Sequence, residues 1–223
     1  MKPFIYLISF VFLGLSSVAQ TSKADPIDGE GWYSVTLNAD LPKKWEASLD
    51  YELRTQNNLQ KYYGSYLSLG VNREINKRLS LGAEYRMAFF DYGITYRYTL
   101  GAESNNKLSK KINFVGRVLL QNRIQDEYDP AVLSESSLFW RVRGQLRWEA
   151  TKKMDVYGSV EPVMQVGGNN FVDNWRNIIG VKYKLNKKTK VDFWYMYRPD
   201  YGKKSYNRLF HIIGVNLSYR LKV

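Results

Sequence analysis

The sequence predicts an all-β chain closed into a transmembrane antiparallel β-barrel of the outer-membrane type, with about twelve strands (roughly ten to twelve). Three observations predict it. Apolar and polar residues alternate with period two from Trp32 onward. Short turns rich in Lys and Asn take turns with longer, more varied links. Charged residues keep to one face of the alternating segments, while aromatic residues gather at both ends of the other face.

The first element is an export signal over residues 1–19. Lys2 supplies the basic start, Phe4 to Leu15 the apolar stretch, and Ser17-Val18-Ala19 before Gln20 an A-x-A-like cleavage site. A single membrane anchor is the alternative, but the apolar run is shorter than the ~20 residues a spanning helix needs. Residues 20–223 then form one barrel domain. Hydrophobic residues make up 44% of the 223, yet the mean hydropathy is −0.43, so apolar side chains are interleaved with polar ones and a bundle of membrane helices is excluded. Cysteine is absent and His211 is the single histidine, which removes thiolate chemistry and makes a histidine metal site improbable; no cofactor is expected. The 33 basic residues against 21 acidic ones give a net charge of +12 and point to an anionic partner. Export, with no zinc-finger spacing and no RNP-like aromatic motif, argues against nucleic acid.

Eleven segments carry the alternation: 32–41, 45–56, 62–75, 78–89, 95–104, 112–123, 136–150, 154–165, 174–185, 189–198 and 207–223. The clearest is 45–56, where Trp45, Ala47, Leu49, Tyr51 and Leu53 point one way and Glu46, Ser48, Asp50, Glu52 and Arg54 the other. Single-chain bacterial barrels have even strand counts, so Thr21 to Gly31 is taken as a weak first strand, making twelve. Its Pro26, Gly29 and Gly31 are poor strand material. Threading of that segment through the lumen, or a split or missed strand, are the alternatives.

The faces separate a membrane barrel from a soluble one. Within the segments Arg73 is the one charge on the apolar face. That face carries Trp45, Trp148, Tyr183 and Tyr219 near the short turns, and Tyr63, Phe89, Tyr96, Trp140, Trp175 and Tyr197 near the longer links. These are two aromatic girdles of the kind a bilayer selects. A lipocalin-like soluble barrel would also alternate but has no reason for two belts.

Trp32, Pro42-Lys43-Lys44-Trp45, Tyr51-Glu52-Leu53-Arg54 and Leu79-Ser80-Leu81-Gly82-Ala83-Glu84-Tyr85-Arg86 carry a resemblance. In this succession the chain resembles an outer-membrane β-barrel family of Bacteroidota known only as a domain of unknown function (number 2490). In that family a strand ending in Arg and a later Gly-x-x-Tyr-Arg recur, and signals end before Gln, as at Gln20. The resemblance implies location and fold and no activity. The C-terminus is similar to the signal read by the barrel-assembly machinery through Gly214, Leu217 and Tyr219. It departs by ending in Val223 and by placing Ile212 where a polar residue is usual.

On the polar face seventeen basic residues oppose eleven acidic ones. Arg141, Arg143 and Arg147 on one strand, with Arg117 and Arg123 on the preceding one, form the densest track and the candidate contact for anionic small solutes such as acidic oligosaccharides. The alternative is a filled interior in which these arginines are neutralised by the acids. His211 invites a hydrolase reading, yet parity puts it on the lipid face while Ser218 on the same strand faces inward. Asp126, Glu127 and Asp129 offer hard oxygens to calcium but lack the spacing and turn glycine of dedicated sites. Loop aromatics Tyr92, Tyr128, Phe171, Tyr201 and Tyr206 suit sugars or head groups alike. The expected role is a non-enzymatic outer-membrane barrel, structural or a narrow anion-preferring conduit. Its partners are outer-membrane lipid and, during insertion, the barrel-assembly machinery. The competing reading is a membrane-embedded enzyme that modifies lipid or lipopolysaccharide.

Overall fold

The computed structural model describes residues 27–127, 134–167, 172–201 and 208–222. They form β1 (Ile27–Leu41), β2 (Trp45–Gln56), β3 (Lys61–Glu74), β4 (Leu79–Phe90), β5 (Gly93–Lys107), β6 (Ile112–Glu127), β7 (Glu135–Glu149), β8 (Met154–Gln165), β9 (Asn174–Lys184), β10 (Thr189–Asp200) and β11 (Arg208–Lys222). Each strand pairs antiparallel with its neighbours in sequence, and β1 pairs with β11, so the sheet closes into a barrel. No helix among the described residues is long and apolar enough to cross a membrane, which says nothing against crossing by strands. The export signal over residues 1–19 lies outside the described residues.

Eleven strands, not twelve, close the barrel. The odd count makes β1 and β11 parallel, from Ile27 opposite Leu209 to Asp40 opposite Lys222. Residues 27–31 are not a strand of their own; they lengthen β1 toward the end of the barrel that carries the longer links. Three contacts overcome their poor strand composition. The Asp28 carboxylate accepts the backbone N–H groups of Asn57 (3.2 Å) and Asn58 (3.0 Å), and the Leu59 N–H donates to the Gly29 carbonyl (3.2 Å). Asn57, Asn58 and Leu59 all have φ between 55° and 71°, a left-handed run that this anchoring holds in place. A Cβ at Gly31 would lie 2.6 Å from the Tyr33 hydroxyl and 2.7 Å from Thr55 Oγ1, so a side chain there displaces one of them.

The short turns follow from side-chain capping of the backbone. Asn76 Oδ1 accepts from the N–H groups of Arg78 and Leu79, Asn186 Oδ1 from Lys188 and Thr189, and Thr151 Oγ1 from Lys153 and Met154. Each cap replaces ladder hydrogen bonds at the point where the chain reverses.

Leu69, Leu100 and Phe193, each more than half exposed, typify an outer surface of Val, Leu, Ile and aromatic side chains on every strand. Arg73 stands on that surface opposite Trp45, its guanidinium 5.3 Å from the indole centroid. Tyr63 does not join the outer girdle. A bulge shifts the β2–β3 register between Arg54 and Thr55, and the Tyr63 ring turns inward onto Phe90 at 5.3 Å.

The apolar core also lies inside. Trp32, Met196, Phe210 and Ile212 bury one another behind the arc of β9, β10, β11 and β1, with Ile178 and Trp194 packed against them. Ile212 is 0% exposed, which explains an apolar residue at a position where a polar one is usual. Gly214 makes room for this packing, since a Cβ there would fall 1.9 Å from the Trp194 ring.

Candidate functional site: the barrel lumen

Alternation along the strands aims the charged residues inward, where one cavity of about 1190 Å³ is lined from rim to rim. Asp40, Lys77 and Arg220 line it at the short-turn end, and Tyr92, Asp200 and Arg208 at the other. The walls differ in charge. On β4 to β9 the lining includes Arg86, Arg97, Arg117, Arg123, Arg141, Arg143 and Arg176 against Glu84, Glu103 and Glu161. On β10, β11 and β1 to β3 it includes Arg54, Arg198, Arg208 and Arg220 against Glu30, Asp40, Glu46, Glu52, Glu74 and Asp200. One wall therefore carries an excess of guanidinium and the facing wall an excess of carboxylate.

Register sharpens this asymmetry. Arg86 lies directly opposite Arg97, Arg97 directly opposite Arg123, and Arg117 directly opposite Arg143. Like charges placed directly opposite across a seam destabilise a sheet. Carboxylates offset part of the cost. Glu161, 2% exposed, receives Arg117 Nη2 at 2.8 Å and Arg141 Nε at 2.9 Å, with Arg176 at 3.9 Å. Arg141 also donates to Gln121 at 3.0 Å. Glu103 takes Arg143 at 3.1 Å and Glu84 takes Arg97 at 2.5 Å.

The facing wall is held differently. Arg54 is clamped between the rings of Trp32 (3.5 Å) and Tyr66 (3.9 Å), and two of its N–H groups donate to Glu52 Oε1 at 2.8 and 2.6 Å. The Trp32 indole N–H donates to Glu30 at 2.8 Å, and Arg198 reaches Glu30 at 3.3 Å and Asp200 at 3.1 Å. These aromatics carry arginines on their faces, so this wall is a packed support. The short-turn half beneath β7 to β10 is also filled, with Tyr157 donating to Asp192 at 3.0 Å and Lys182 lying 5.2 Å from the Tyr157 ring.

Four of the five arginines singled out from sequence, Arg117, Arg123, Arg141 and Arg143, line the cavity. Arg147 points inward but lies outside that lining, with its Nε unpartnered. Sequence reasoning placed Arg86, Arg97 and Arg176 in the lumen without assigning them to the track, because their proximity depends on register between strands. His211 lies on the outer surface with its Nδ1 2.5 Å from the Tyr195 hydroxyl and its ring 5.8 Å from that of Tyr197. Ser218 Oγ instead approaches the Lys190 carbonyl at 3.4 Å, so the two do not meet. Asp126 accepts from Ser134 at 3.0 Å beside Glu127 at the end of β6, and Asp129 lies outside the described residues. No group of metal-binding side chains occurs among the described residues.

Comparison with known proteins adds the following. A family model described as "Protein of unknown function (DUF2490)" matches residues 29–220. No curated protein matches the chain. Among solved structures, one described as "NanC porin structure in rhombohedral crystal form" is 13% identical, with 76% of this chain and 86% of that chain covered and a TM-score of 0.49.

Proposed function

We propose that this chain, which belongs to the DUF2490 family of unknown function, is an outer-membrane barrel that passes small anionic solutes through an arginine-lined lumen. Its apolar outer surface supports the membrane setting. Contiguous exposed apolar area on this scale is unfavourable in water and favourable in lipid. Residues 1–19 act as the export signal in this reading, and the C-terminal strand is the segment the assembly machinery engages. The short turns face the periplasm and the longer links the exterior.

The observation that carries the conduit is the cavity lined from rim to rim with arginine facing arginine along one wall. A barrel that only had to fill its interior would be more stable with each arginine opposite an acid. The excess of guanidinium on this wall attracts anions and repels cations, and guanidinium forks match carboxylate and phosphate oxygens. His211 and Ser218 do not meet, so no Ser-His pair forms on β11. Planar-bilayer recording on the detergent-purified barrel tests the reading. Discrete conductance steps are the expected result. A correctly folded barrel that inserts and stays silent would overturn it.

A further inference from the structure

We propose that Arg86, Arg97 and Arg123 form an oxyanion seat on the conduit wall, which holds the carboxylate, sulfate or phosphate group of a solute in transit. The proposal rests on the conduit reading and adds to it the chemistry of the group recognised and the place where it pauses.

The three arginines occupy consecutive strands in one row, Arg86 opposite Arg97 and Arg97 opposite Arg123. Neighbouring strands lie about 4.8 Å apart, so the row presents three guanidinium groups along roughly 10 Å. All three line the cavity. Among the described residues, the one carboxylate within 3 Å of the row is Glu84, on Arg97. Arg86 donates its Nε to Ser68 at 2.6 Å, and its closest acids stand at 3.7 to 3.8 Å. The Arg123 guanidinium lies 5.0 Å from the centroid of Phe139, a ring 4% exposed that packs against it, and Arg123 lines the cavity.

Unpartnered donors lie at the same place. Arg97 Nε and Thr99 Oγ1 are buried without a hydrogen-bond partner, and Thr99, 8% exposed, follows Arg97 on the inward face of β5. A buried donor left unsatisfied is costly, and an oxyanion in the row neutralises the mutual repulsion of the arginines. The same wall shows how it holds such a group. Glu161, the chain's own carboxylate on β8, is gripped by Arg141 on the adjacent β7 and by Arg117 one strand further, on β6.

Chloride current through the barrel, titrated with sulfate and separately with glucuronate, tests the seat. Wild-type current is expected to be blocked by both, with half-block raised at least tenfold in Arg97→Gln and in Arg123→Gln. Arg123→Gln removes no ion pair among the described residues and so guards against misfolding. Arg147→Gln, which removes a positive charge outside the cavity, is expected to block like wild type. Block by sulfate alone assigns the seat to tetrahedral oxyanions, and block by glucuronate alone to carboxylates. Equal block in wild type, Arg97→Gln and Arg123→Gln would overturn the seat. If the barrel carries no current, calorimetric titration in detergent separates the two proposals. Sulfate or glucuronate binding lost in Arg123→Gln keeps the seat and discards the conduit, and binding that is absent or unchanged discards the seat.

Discussion

Arg97 stands between two other arginines, facing Arg123 across the β5–β6 seam and Arg86 across the β4–β5 seam. On the same wall, Glu161 is surrounded by Arg117, Arg141 and Arg176. Two kinds of arginine therefore share one lumen. Some neutralise a buried acid and hold the wall together, while others face a like charge that their own partners offset only in part.

Stability separates the two kinds. Arg141→Gln is expected to lower the unfolding free energy by about 3 kcal/mol, because it removes the nearest cation from a buried carboxylate; Arg117, still at 2.8 Å, keeps the loss near the low end. Arg123→Gln is expected to leave stability unchanged or raise it by up to about 1 kcal/mol, since a like-charge pair disappears. Urea unfolding in detergent, followed by tryptophan fluorescence, reads both values.

Gly214 is expected to tolerate no side chain. Its Cβ position is occupied by the Trp194 indole, which is itself packed against Trp32 at 5.6 Å, edge to face. Gly214→Ala should therefore cost about 1–3 kcal/mol in the same unfolding measurement, with a shift in tryptophan emission as the pair is pushed apart.

Arg54→Lys tests whether the clamp on the facing wall depends on guanidinium geometry. An ammonium cannot lie flat between the Trp32 and Tyr66 rings and donate two N–H groups to Glu52 at once. The expected outcome is a loss of about 1–2 kcal/mol, set by the stacking that disappears. A Lys variant as stable as the parent would show that charge alone suffices there.

Much of the barrel was legible along the chain. Strand alternation located all eleven strands, with 45–56 and 154–165 matching β2 and β8 to the residue. Asn76, Thr151 and Asn186 marked short turns because their caps act within three residues of chain. What was not legible is non-local. The parallel β1–β11 seam follows from the odd strand count, because residues 27–31 extend β1 instead of forming a strand of their own, with Asp28 reaching across to Asn57 and Asn58. The inward turn of Tyr63 comes from a bulge that alternation alone does not reveal. Trp32, Ile178, Trp194, Met196, Phe210 and Ile212 read as breaks in a polar face until the fold brings them into one cluster. The arginine rows, too, exist only once register is set. Arg86, Arg97 and Arg123 are separated by 11 and 26 positions in the chain, and nothing local announces that they share a row.

The most direct test of the central claim is the reversal potential of the purified barrel in a planar bilayer under a tenfold gradient of potassium chloride. It is measured at low ionic strength, where screening of the lumen charge is weakest. An arginine-lined conduit requires the potential to lie toward the chloride equilibrium value, and to move back toward zero in an Arg86→Gln, Arg97→Gln, Arg123→Gln triple variant. A reversal toward the potassium value in the parent protein would contradict the account.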